Sequence, residues 1–253
     1  MSRLPESKSC LVTRLSHYMD LDETSERYLA TLEQDERSFE AGADVYDEGL
    51  QARHLYVVKH GWFYGFADLP DGRRQIVKIY HPGDVIGFPD IAFHHATITV
   101  RAAEPGCLCP FPKARLNVIL EGAPRLTALL LALAVRDEAI LYDRIRATGR
   151  MSAMERVAYM LLELSARLSI TVDDAPERFR LPLNQAEMGD YLALTNVYVS
   201  KTLSRMEDME LIERTNDKYV RILEREKLVQ LCDFVDRYAD LDISWFPEPG
   251  GGD

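Results

Sequence analysis

Between Arg37 and about Phe111 the chain is cut by glycine and proline into short β-rich runs, and after Pro112 it reads as one helix after another. Strands segregated ahead of helices point to an α+β chain. The β-rich runs are His54–Lys59, Trp62–Phe66, Gln75–Tyr80 and Ala96–Val100. Lys59-His60-Gly61, Leu69-Pro70-Asp71-Gly72 and His81-Pro82-Gly83-Asp84 supply the turns. Asp71-Gly72 is the strongest hairpin signal, because a two-residue hairpin turn needs residues that tolerate φ > 0. Short strands at regular spacing predict a small barrel or roll. Ahead of them, residues 10–34 read as helical, with Leu15, Tyr18, Met19, Tyr28, Leu29 and Leu32 on apolar stripes.

At 253 residues the chain has room for two modest cores. Its longest apolar run, Leu126 to Val135 interrupted by Thr127, is about half of the ~20 residues a membrane span needs. Neither a membrane partner nor a secretion signal is expected, and the reading is cytoplasmic. Of Cys10, Cys107, Cys109 and Cys232, only the middle two are neighbours, and C-x-C is neither a disulfide framework nor a zinc site. Inert thiols and no metal are expected. The net charge of −11 argues against a protein that coats nucleic acid nonspecifically. It leaves room for a sequence reader, whose phosphate contacts depend on local charge. No Ser/His/Asp or Cys/His constellation, phosphate-cradling glycine loop or H-E-x-x-H occurs, so no enzyme is expected and no catalytic residue is assigned.

The helical part opens with a short helix over Lys113–Glu121, stopped by Gly122 and Pro124. A longer one follows from about Pro124 to Thr148. Its apolar residues Leu126, Leu130, Leu133 and Ile140 mark a stripe suited to a second copy of the chain, although Arg144 breaks the rhythm and Leu129, Leu141 and Ile145 broaden it. A single buried helix in a monomer is the bland alternative. Ser152-Ala-Met-Glu155 is a capping box that starts the next helix, with Val157, Leu161, Leu164 and Leu168 on one face. The expected domains are 1–123, a sensor with flanking helices; 124–148, the long helix; and 149–253, a C-terminal domain with its tail.

The most informative stretch is Leu181 to Glu207. Asn184 with Glu187 at N3, and Leu183 able to touch Met188, start a short helix over 185–192. Thr195 caps a second helix running through Val199, Thr202, Leu203 and Met206. Gly189 is small where two such helices would approach, and Leu194 and Val199 would pin the turn. The face left free carries Asn196, Val197, Ser200, Lys201 and Ser204, short groups suited to a major groove about 12 Å wide. Ala193 stands where such turns need φ > 0, at a cost of roughly 1 kcal/mol. Over 184–226 six cations, Lys201, Arg205, Arg214, Lys218, Arg221 and Arg225, face nine carboxylates, so steep salt dependence and weak nonspecific affinity are expected. Leu211–Ile222 reads as a hairpin turning at Asn216-Asp217, a wing that could bring Lys218 toward phosphate.

The layout from about Arg37 to Leu228 resembles the CRP/FNR superfamily. The resemblance is carried by His81-Pro-Gly-Asp-Val-Ile-Gly87, Arg136-Asp-Glu-Ala-Ile-Leu141, Gly149-Arg-Met-Ser-Ala-Met-Glu-Arg156 and Leu194-Thr-Asn-Val-Tyr-Val-Ser-Lys201. It implies a cyclic-nucleotide-type β-roll (jelly roll), a long dimerisation helix and a C-terminal winged helix-turn-helix. It also implies a homodimer on near-palindromic double-stranded DNA, with RNA polymerase as a further partner. By position, Asn196, Val197 and Lys201, with Ser200 beside them, fall where relatives read bases. Gln185, Thr195 and Tyr198 fall where relatives touch phosphate, and Arg205 and Lys218 add cations. Val197 replaces an acidic base reader and suits a thymine methyl.

Gly83, Gly87, Phe88, Ala96 and Thr97 fall on the family's effector pocket. The family's ribose glutamate and phosphate arginine fall here on Phe88 and Ala96. A cyclic phosphate without that cation would cost several kcal/mol. The reading is therefore against cyclic AMP, assigns no cofactor and leaves the effector open. Cys10 alone does not make the cysteine cluster of the iron–sulfur branch. His94 and His95 read as loop residues rather than haem ligands, and a Cys107/Cys109 redox switch is the minor alternative. A second reading of the whole chain is a non-DNA-binding adaptor, resting on the acidic reader domain. In the tail, Trp245 and Phe246 are expected to dock, and the end beyond them to be disordered.

Overall fold

The computed structural model describes residues 9–170 and 177–248. The chain divides into two compact units. One runs to Phe66, resumes over Ile79–Ala132 and takes in the chain from Asp242; the other holds Ala67–Lys78 and Leu133–Leu241.

The first unit opens with α1 (Cys10–Leu15) and α2 (Glu23–Ala30) where the sequence predicts one helical stretch. The break has a local cause: Asp22 takes the extended backbone of an N-cap and accepts from the Ser25 amide at 2.7 Å. The buried Glu33 carboxylate accepts from the Cys10 and Leu11 amides at 3.1 and 3.0 Å and pairs with Lys59 at 3.0 Å, tying α1 to the roll.

The roll is built from β1 (Arg37–Phe39), β2 (Asp44–Tyr46), β3 (His54–His60), β4 (Phe63–Asp68), β5 (Arg74–Tyr80), β6 (Val85–Ile86), β7 (Thr99–Ala102) and β8 (Gly106–Pro112). The described strands form two four-stranded sheets, ordered β1-β8-β3-β6 and β2-β7-β4-β5. Val58, Phe63, Tyr80, Ile86, Val100, Ala102 and Leu108 make the core. The four predicted runs are all strands, the last starting at Thr99 rather than Ala96. Sequence reasoning misses β8 because Pro110 and Pro112 argue against a central strand. Both prolines are tolerated because β1 pairs only as far as Leu108, so beyond it β8 has β3 alone as neighbour.

After a 3-10 turn over Lys113–Arg115 come α3 (Leu116–Gly122) and α4 (Pro124–Arg150). The long helix does not stop at Gly149 but continues to Arg150. Its apolar stripes also differ from the expected ones. Leu126 lies in the core of the first unit and Ile140 in that of the second, and Leu130 and Leu133 are half-buried. The large apolar side chains exposed on α4 are Leu131, Val135, Leu141, Tyr142 and Ile145. The reason is that the helix is apolar on several sides, and its own chain covers the side carrying Leu126 and Ile140.

In the second unit α5 (Ala153–Leu168) starts at the predicted capping box: Ser152 accepts from the Glu155 amide, and the Glu155 carboxylate accepts from the Ser152 amide at 2.7 Å. Then follow β9 (Arg178–Arg180), α6 (Gln185–Leu192), α7 (Asn196–Asp208), β10 (Ile212–Arg214), β11 (Tyr219–Ile222) and α8 (Arg225–Cys232). The expected wing hairpin is β10–β11, turning over residues 215–218; β9 joins it to give the order β10-β11-β9. The following chain covers α5, with Phe234 edge-on to Tyr159 at 5.5 Å.

Candidate nucleic-acid interface

Local chemistry places both short helices where the sequence predicts them. Asn184 accepts from the Ala186 and Glu187 amides, each at 2.9 Å, and Glu187 accepts from the Asn184 amide at 2.8 Å. Leu183 and Met188 are both buried, as a hydrophobic staple requires. Ala193 ends α6 at φ 52°, ψ 48°, the left-handed conformation expected of it, and the Gly189 carbonyl accepts from both Ala193 and Leu194. A Cβ on Gly189 would lie 2.6 Å from the Leu194 carbonyl oxygen, so only glycine permits this approach. Thr195 then caps α7, accepting from the Tyr198 amide at 3.3 Å.

The second helix is two-faced. Val199, Thr202, Leu203 and Met206 are buried, at the i, i+3, i+4, i+7 spacing of a packed stripe. Opposite them Asn196, Val197, Lys201, Ser204 and Arg205 are exposed, and Ser200 is half-buried. Val197 is 56 % and Tyr198 62 % exposed, large values for an apolar and an aromatic residue. Gln185 and Thr195 are exposed at the N-termini of α6 and α7. Among the described residues neither Lys201 nor Arg205 makes an ion pair. Arg214, by contrast, is held by Glu207 at 2.5 Å, and that hydrogen bond holds the Glu207 carboxyl below the usual range. Lys218 sits in the wing turn at φ 61° and donates to the Pro182 carbonyl at 3.1 Å, which fixes its cation beside the start of α6.

Behind the reader lies a polar network that periodicity does not reveal. Glu163, 3 % exposed, accepts from the Tyr191 and Tyr238 hydroxyls at 3.0 and 3.1 Å and faces Arg167 at 3.9 Å. Arg144, the residue that breaks the expected stripe, places its guanidinium 4.3 Å from the Tyr191 ring centroid and donates to the Val77 carbonyl. Gln75 donates to the Asp190 and Tyr191 carbonyls at 2.7 and 3.3 Å, and Arg156 to the Leu192 carbonyl at 3.1 Å. The last turn of α6 is therefore satisfied by side chains from the β4–β5 hairpin and α5.

The effector positions make separate local contacts. Gly83 packs on α1, where an added Cβ would meet Arg14 and the Cys10 carbonyl at 3.1 Å. Ala96 is buried, its amide donating to the Leu50 carbonyl at 2.8 Å. Phe88 precedes a one-turn 3-10 helix, Pro89–Ala92, which faces Gly87 at φ 84°. The Thr97 amide and hydroxyl both donate to the buried Asp90 carboxylate, at 2.9 and 2.7 Å. A cleft of about 630 Å³ opens beside this segment instead, lined by Arg53, Phe93, His94, His95 and Lys113 among others, and by none of the five expected residues. Burial pushes the Cys109 thiol up to about 12 and the Cys232 thiol up to about 11, so both are protonated at neutral pH. In the tail Phe246 is buried and Trp245 half-exposed against it; the end expected to be disordered falls on residues 249–253, outside the described ones. Among the described residues no helix is long and apolar enough to cross a membrane.

Residues 155–231 match the Crp-like helix-turn-helix domain, and residues 36–122 match the cyclic nucleotide-binding domain. The nitrogen fixation regulation protein FixK of Bradyrhizobium diazoefficiens is 33% identical over 169 residues, 67% of this chain and 70% of that protein. The fumarate and nitrate reduction regulatory protein of Vibrio cholerae is 25% identical over 225 residues, 89% of each chain. Among solved structures, FixK2 from Bradyrhizobium japonicum superimposes with a TM-score of 0.70 at 27% identity, covering 78% of this chain and 96% of that one.

Proposed function

Because the chain belongs to the CRP/FNR superfamily of transcription regulators, we propose that this DNA-binding regulator works as a homodimer reading a near-palindromic site in double-stranded DNA. Asn196, Val197, Ser200 and Lys201 read base edges. Gln185, Thr195, Tyr198, Arg205 and Lys218 hold phosphates and set the register of α7 in the major groove. The observation that carries this reading is the two-faced α7, anchored through Val199, Leu203 and Met206 while a polar face stays open with two cations, Lys201 and Arg205, that make no ion pair among the described residues.

The partner copy packs along the exposed side of α4. Leu131, Val135, Tyr142 and Ile145 follow one another at intervals of 4, 7 and 3 residues, the rhythm of a coiled-coil seam with Glu138 at its centre. Pairing there presents two α7 helices to half-sites one helical turn apart. The protein acts in the cytoplasm, on RNA polymerase at its target promoters, and carries out no catalysis itself. It works without cyclic AMP, since Phe88 and Ala96 supply neither a ribose acceptor nor a phosphate cation. Selection of genomic fragments by the purified protein tests the whole reading. It should enrich a two-fold symmetric motif; no enrichment even at low salt would leave a fold without this function.

A further inference from the structure

A cyclic nucleotide presents one anionic phosphate, and a roll that binds it must offer free donors and a net positive field. Around Asp90 the segment from Gly87 to Thr97 has already committed its donors. Pro89 has no N–H, the Asp90 and Ile91 amides donate to the Gly87 and Phe88 carbonyls, and the Ala96 amide to Leu50. The two donors of Thr97, next to Ala96 where the resemblance puts the family's phosphate arginine, converge on a single oxygen of Asp90 at 2.9 and 2.7 Å. Asp90 is 2 % exposed, and the Tyr46 hydroxyl approaches its other oxygen at 3.5 Å. Lys113 locks the loop by donating to the Asp90 and Phe93 carbonyls, leaving the carboxylate to Thr97 and Tyr46. A nucleotide does not fit these residues: its phosphate would have to displace a tethered carboxylate from its donors and then lie against that negative charge.

We propose that the Asp90 carboxylate is the resident anion of the sensor roll, a covalently attached stand-in for the ligand phosphate that holds the segment from Gly87 to Thr97 ordered without an effector. A tethered group competes at very high effective concentration, so the segment is permanently filled. The inference rests on the regulator reading for its consequence, that operator binding needs no nucleotide, but its geometry is independent of that reading.

The test uses the full-length protein, its Asp90→Ala and Asp90→Asn variants, and formate as the smallest carboxylate probe. The Ala variant removes the anion and leaves room for one. Its melting temperature should fall below the parent's and rise again with sodium formate, but not with sodium chloride at equal ionic strength. The Asn variant fills the space but loses the charge that strengthens the two Thr97 hydrogen bonds, so it should melt between the parent and the Ala variant and ignore formate. Calorimetric titration of the parent with cyclic AMP or cyclic GMP should give no saturable heat. An Ala variant as stable as the parent and indifferent to formate overturns the inference and leaves the DNA-binding reading intact; so does micromolar binding of either nucleotide to the parent. If the Ala variant does not fold, the Asn variant decides: loss of the segment's order there, read as hydrogen exchange of residues 88–97 faster than in the parent, supports a role for the negative charge. Exchange unchanged from the parent overturns it.

Discussion

Ala193 and Gly189 stand four residues apart, and the backbone assigns opposite signs to exchanging their side chains. Ala193 holds φ 52° and ψ 48° at the C-terminal cap of α6, where a Cβ crowds the following carbonyl at a cost of about 1–2 kcal/mol. Ala193→Gly removes that strain but loosens the unfolded chain by about 0.4–1 kcal/mol, so a net gain of about 0.5–1 kcal/mol is expected. Gly189→Ala places its new carbon 2.6 Å from the Leu194 carbonyl oxygen, a backbone atom that cannot rotate away. The turn must move by most of an ångström, an overpacking penalty of about 1–3 kcal/mol that exceeds the helix-propensity gain of about 1 kcal/mol. Both tryptophans lie in the first unit, so fluorescence is blind to this site, and hydrogen exchange of residues 185–206 is the suitable assay. Exchange there should slow about two- to fivefold in Ala193→Gly, and accelerate in Gly189→Ala together with loss of operator affinity. Faster exchange in the first variant, or an unchanged rate in the second, would refute the description of the turn.

Other perturbations separate stability, assembly and binding. Glu163→Ala strips two tyrosine hydroxyls and Arg167 of a shared buried acceptor and should destabilise the second unit by about 3 kcal/mol, read by urea denaturation; a loss under half of that would mean water replaces the carboxylate. Ile145→Lys puts a charge in the exposed α4 seam and should convert the dimer to monomer in sedimentation experiments; a dimer of unchanged strength would place the interface elsewhere. Arg205→Ala should lower the salt slope of operator binding by about 0.9 per protomer, with little change in base preference, and an unchanged slope would remove Arg205 from the phosphate contacts.

The reader was legible in the sequence because its signals are local. Asn184 with Glu187, Ser152 with Glu155, Thr195 ahead of Val199, and Gly189 before Ala193 each settle a helix end within a few residues, and the backbone follows them. What eluded the sequence depends on distant partners. Pro110 and Pro112 hide β8 until β1 is known to stop at Leu108. Leu126 and Ile140 have the right spacing for a dimer seam, yet spacing cannot tell which stripe the protomer covers itself. Glu163 reads as a polar interruption of α5, and its partners come from residues 191 and 238, far along the chain. Asp90 is hidden for a similar reason: an acidic residue in a loop reads as solvated until Thr97 turns its amide and hydroxyl onto it.

The account stands or falls on what α7 does with its open face. An Asn196→Ala, Lys201→Ala double variant, which alters no buried side chain, should fold and dimerise like the parent. Its affinity for the selected operator should drop by at least tenfold, the loss expected if about 1.4 kcal/mol or more of base contact disappears. Parent-like affinity from that variant would contradict base reading by this helix.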